Sequence, residues 1–163
     1  MIIDLQTTFS GTTAADGTKT GQAITATAIS ANVLDLRATG TVGPTLVDEA
    51  IQLYDLWMVV QADQSADFAA AGAATLTITI ESDTVVGLSS TPAVHYSTAA
   101  IAKASLVKGF VAVRTKLPSG DYQRFVGLRY TVGTGPFTAG AALAFLTPTP
   151  QRNTVYPVGF AVQ

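Results

Sequence analysis

Cysteine is absent from the 163 residues, which removes disulfide frameworks, thiolate metal sites and thiol nucleophiles and leaves the redox compartment unreadable. Charge is scarce as well: Asp, Glu, Lys and Arg make up 12% of the chain, against roughly 25% in an ordinary soluble domain. With a net charge of −2 and a pI near 5.1, the surplus of lysine and arginine needed for a phosphate-binding surface is missing, so nucleic acid is not an expected partner. No apolar run reaches the about 20 residues of a membrane-crossing helix, and no membrane contact is expected. The opening "MIIDLQTTFSG" has no basic start ahead of an apolar stretch, so no secretory signal is read there and a cytoplasmic site of synthesis is expected.

What replaces charge is alanine, threonine, glycine and serine. Free surfaces rely on charge for solubility, whereas interface cores are depleted of it. A chain this poor in charge either works with much of its surface covered or has a threonine-rich β exterior. Its length suits one domain with a core that needs no staple.

Period-2 alternation recurs along the chain. In "ATLTITIES", Leu76, Ile78 and Ile80 take one face and Thr75, Thr77, Thr79 and Glu81 the other, the pattern of a half-buried strand. "ITATAISANVLDL" begins the same way. "LYDLWMVVQ" is apolar on both faces, which predicts a central strand covered on two sides. "FVAVRTKLP" sets Val111, Val113 and Leu117 against Ala112, Arg114 and Lys116; "RFVGLRYTVG" puts Val126, Leu128, Tyr130 and Val132 together; "TAGAALAFLT" suggests Ala141, Leu143 and Phe145 as an inward row. Turn sequences "LPSGD" and "GTGPF" between these three predict an antiparallel meander. "VDEAIQLYDL" and "AAIAKASLVK" each suit a helical turn or two, and "FSGTTAADGTKTGQ" and "QADQSADFAAAGAA" read as loops. The whole predicts an all-β sandwich or barrel of about eight strands.

Chemistry finds little support. His95 is the single histidine, and no G-x-S-x-G elbow accompanies it, so a surface or edge role is expected over a triad. Asp63, Asp67, Glu81 and Asp83 lack the spacing of a calcium loop and read as solubilising loop carboxylates. "GTVGPT" and "TVGTGPF" lack the lysine and helix of a phosphate loop. Arg114, Arg124 and Arg129 are expected near one another on the meander.

An ordered set of segments carries a resemblance. "MIIDLQTTFS", "ITATAISANVLDL", "ATLTITIESD", "LPSGDYQRFVGLRYTVG" and "FTAGAALAF" together resemble the capsid cement, or decoration, proteins of tailed bacteriophages, of the type first described in a Bordetella podophage. The resemblance covers residues 1–146. It implies a jelly-roll-like antiparallel β-sandwich that binds the outside of a head, as a homodimer or other homo-oligomer, and bridges major capsid protein subunits. It also implies a virion location, no catalytic residues and no cofactor.

The remaining residues, 147–163, form an extension that the family pattern does not explain. Pro148, Pro150 and Pro157 favour an extended chain, and Val158, Phe160 and Val162 share one face. Two readings stay open: an arm that completes a dimer or grips the coat by β-augmentation, or a last strand folded back on its own sheet. The candidate contact residues are therefore Thr75, Thr77, Thr79, Val158, Phe160 and Val162. The rival function is a carbohydrate-binding β-sandwich that uses exposed Tyr96, Tyr122 or Tyr130; an outer-membrane barrel is disfavoured, because neither a signal nor the aromatic girdles of such barrels is read in this sequence.

Overall fold

The structure, a computed structural model, describes residues 7–14, 18–36, 56–148 and 150. They form thirteen strand segments: β1 (Thr8–Ser10), β2 (Thr12–Thr13), β3 (Lys19–Thr20), β4 (Gln22–Ala23), β5 (Ala28–Ile29), β6 (Leu34–Asp35), β7 (Trp57–Ala62), β8 (Thr75–Asp83), β9 (Ala93–Ser97), β10 (Ile101–Ala102), β11 (Val111–Lys116), β12 (Phe125–Gly133) and β13 (Ala141–Thr147). One 3-10 turn spans Lys103–Ser105, within the stretch expected to turn helically, and no α-helix occurs among the described residues. "VDEAIQLYDL" lies almost wholly outside them.

All pairing is antiparallel. The first sheet runs β1-β13-β7-β11, with β4 also on β13; the second runs β10-β8-β12-β5, with β9 on β8 and β6 on β12; β2 and β3 form a separate hairpin. Setting the β2–β3 hairpin aside and taking β1 with β4, β5 with β6 and β9 with β10 leaves eight strand positions, as expected from the sequence. In chain order, positions one, eight, three and six make the first sheet and five, four, seven and two the second. This interleaving, in which the chain passes repeatedly between the sheets, is that of a jelly roll.

The predicted meander is therefore wrong. β11 and β13 lie in the first sheet and β12 in the second, so "LPSGD" and "GTGPF" arch between sheets and do not close hairpins. Arg114 is accordingly on a different sheet from Arg129. The predicted inward row of β13 is also reversed. Ala142, Ala144 and Leu146 enter the core, while Leu143 and Phe145 are buried on the opposite face outside it.

Inside the sandwich, Met58, Val60 and Ala62 of β7 join Leu76, Ile78 and Ile80 of β8 and Val126, Leu128 and Tyr130 of β12. Val59 is buried on the other face of β7, as the two-sided apolar pattern requires. Across this core Tyr130 Oη and Ser10 Oγ share a hydrogen bond of 2.8 Å, which joins the two sheets and satisfies both buried hydroxyls. At one end Phe68 and Phe137 pack edge to face at 5.1 Å. Gly140 makes that contact possible: its φ is +142°, and a Cβ there would lie 2.2 Å from Phe68 Cδ1.

Candidate interaction surface

The threonine row predicted from "ATLTITIES" is on the outward face of the second sheet. Thr75, Thr77 and Thr79 are half-buried and alternate with the buried residues of β8. Their neighbours on β12 are Gly133, Thr131 and Arg129 in turn. The structure thus brings these three candidates onto one face. Val158, Phe160 and Val162 lie outside the described residues, so neither reading of the extension is tested.

Charged groups on this sheet are satisfied from within. Arg129 Nε donates to both Glu81 oxygens, at 2.9 and 3.2 Å, and Thr79 Oγ1 donates to Glu81 Oε1 at 2.6 Å. Glu81 is buried, and a buried carboxylate requires such partners. At the sheet's end Arg124 holds Asp35 by two bonds of 3.0 and 2.8 Å and lies over the Phe125 ring. Asp35 raises the Arg124 pKa, first by this hydrogen bonding and then by its charge.

Asp83, at the end of β8, organises the loop that follows. Its carboxylate accepts from the Thr84 amide at 2.6 Å and the Ser90 amide at 2.8 Å. Burial alone pushes the Asp83 pKa up, but the backbone N–H groups of Ser90, Thr84, Thr91 and Val85 outweigh it and hold the carboxyl below its ordinary range. The loop folds back over the outward face. Leu88 is buried there, with its carbonyl accepting from Arg129 Nη2 at 2.5 Å. The leucine reaches so close to β12 that a Cβ on Gly127 would stand 2.9 Å from Leu88 Cδ1. Leu88 itself has φ +48°, a left-handed conformation unfavourable for a side chain of its size.

These findings correct the reading of the acidic residues. Asp63, Glu81 and Asp83 are buried and fix local structure in place of solubilising loops. Asp63 accepts from the Gly21 amide at 2.7 Å; exposed Asp67 accepts from the Lys108 amide at 2.8 Å. Among the described residues no group of acids and histidine has the arrangement of a metal site.

His95 lies on the edge strand β9, at an irregularity in its pairing with β8. Its Nε2 is 2.7 Å from Ser82 Oγ, and its ring stacks on Tyr122 at 3.9 Å. Ser82 is fully buried and also accepts from the Gln123 amide at 3.0 Å. Desolvation lowers the His95 pKa. The pair pins the 117–124 arch to the sheet. The aromatic platform of the carbohydrate reading loses Tyr130, which is fully buried; Tyr96 and Tyr122 are half-buried, and Tyr122 Oη donates to the Pro118 carbonyl at 2.8 Å.

Sequence reasoning found the threonine row but missed the Leu88 loop. Two signals pointed to it: an isolated glycine within a strand, Gly127, which marks close approach, and an aspartate followed by Ser, Thr and Gly, which favours side-chain-to-backbone bonds. Against known proteins, a family model described as Bbp16 matches residues 18–146. No curated protein matches the chain.

Proposed function

The chain belongs to the Bbp16 family, and from that premise we propose that it is a non-enzymatic structural protein of a phage shell. In this reading it is a cement subunit that binds the outer surface of the head and bridges neighbouring major capsid protein subunits. The observation that carries the reading is the chemistry of the second sheet's outward side. The charged side chains in its strands are Asp35, Glu81, Asp83 and Arg129, and each is matched within the chain. What remains for a neighbour is uncharged, namely threonine, small residues and the exposed Val94, the charge-poor kind of surface found at interface cores. The ordered resemblance of the five sequence segments supports the same reading.

Function then follows from multiplicity. Each contact is weak, but a homodimer or other homo-oligomer that touches two coat subunits at once converts modest affinity into avidity, repeated by the symmetry of the shell. The site of action is the virion surface. Co-sedimentation of the purified protein with expanded, undecorated heads tests this: saturable binding at a fixed ratio to coat subunits is expected. Protein that stays in the supernatant across ionic strengths would refute it.

A further inference from the structure

The exposed large apolar side chains among the described residues are Val85, Val86, Val94 and Val107. The first three belong to one hairpin, the β8–β9 connection and the start of β9. Val85 is 39%, Val86 60% and Val94 56% exposed. Val94 lies opposite Glu81, which in turn lies opposite Gly127, the residue beneath Leu88. Val94 is thus on the outward face, and Val85 and Val86 lie in the connection that leaves the same end of β8.

An apolar loop tip in water is ordinarily left loose, yet this one is held from several sides. The Asp83 carboxylate takes the amides at both ends of the loop, the Leu88 amide bonds the Val85 carbonyl at 3.1 Å, and Arg129 holds the Leu88 carbonyl. Leu88 serves as a buried anchor in a backbone conformation that leucine seldom adopts. Fixing the loop in advance removes the ordering cost that a partner would otherwise bear. Exposed apolar clusters on such rigid supports mark contact sites.

The chemistry of the occupant follows from charge. The loop shows Thr84, Val85, Val86, Gly87, Ser89 and Ser90, none of them charged, and the ions beneath are already paired. A charged partner surface seated here would be desolvated with no counter-charge. We infer that the 84–94 hairpin is a preformed docking element that seats Val85, Val86 and Val94 in an uncharged, apolar recess of a coat subunit. This rests on the cement reading and specifies where its contact is made.

The test compares wild type, Val86→Asp and Val107→Ser in titrations against undecorated heads. Val107 is the exposed valine on another part of the surface, so its replacement controls for lost apolar area. Val86→Asp is expected to weaken binding about tenfold or more, because an unpaired carboxylate enters the contact, while Val107→Ser stays within about twofold. Leu88→Ala, which leaves the valines but frees the anchor, is expected to weaken binding and to speed hydrogen exchange at the Thr84 and Ser90 amides. Wild-type binding with undiminished binding by Val86→Asp overturns the hairpin assignment and leaves the cement reading standing. Absence of wild-type binding overturns both. Loss of self-association by Val86→Asp in sedimentation velocity, with shell binding intact, assigns the valines to a second copy of this chain and likewise overturns the inference.

Discussion

His95 ties stability to pH through one side chain. Desolvation keeps its folded pKa below the ordinary value of 6.5, so the fold favours neutral imidazole, which can accept from Ser82. Stability from this group is therefore complete above that value and declines as pH falls through it toward the folded pKa, because the unfolded chain takes up the proton first. Asp83 acts with the same sign at lower pH: its depressed carboxyl pKa contributes stability above the unfolded value that is lost in acid. Urea unfolding between about pH 7 and 5 should show wild type losing more stability than His95→Gln. Parallel pH slopes for the two proteins would remove His95 from this role.

Neighbouring strands supply what single residues do not. Glu81 on β8 and Arg129 on β12 are brought together by the register that sets Glu81 opposite Gly127 and Thr79 opposite Arg129. Arg129→Leu leaves a buried carboxylate with only Thr79 and also frees the Leu88 carbonyl; a loss of about 2–4 kcal/mol is expected, discounted because the arginine is partly exposed. Adding Glu81→Leu should restore part of that loss, since a paired apolar replacement leaves no orphan charge. A double mutant less stable than Arg129→Leu in urea melts would contradict this. Legibility in the sequence followed the same logic of elements. β8 was readable because its two faces meet different surroundings, core on one side and partial solvent on the other. β13 was not, because Ala142 to Thr147 are all buried, so alternation carried no information about direction and the inward row was inverted. The turns around β12 were recognisable as turns, but the same Pro, Gly and Asp residues serve a hairpin and an arch between sheets. Thr75, Thr77 and Thr79 were legible as an outward row. Leu88 was not, since nothing in its identity announces a left-handed backbone or burial outside the core.

On the scale of the whole molecule, a jelly roll removes most apolar surface into one interior and leaves its outward faces free to be specialised. Here the second sheet's outward side is specialised by pairing its own charges and by fixing an apolar hairpin at one end. In the cement reading proposed above, the low charge of the chain, 12%, suits its work, since interface cores are depleted of charge. A subunit of this design adds strength only when it joins two others, so its effect should appear in the shell as a cooperative gain and not in the isolated coat protein. Calorimetry of expanded heads with increasing amounts of the protein measures that gain directly. The shell disruption temperature should rise and then level off at a fixed ratio of the protein to coat subunits; heads that bind the protein yet melt at an unchanged temperature would contradict a cement function.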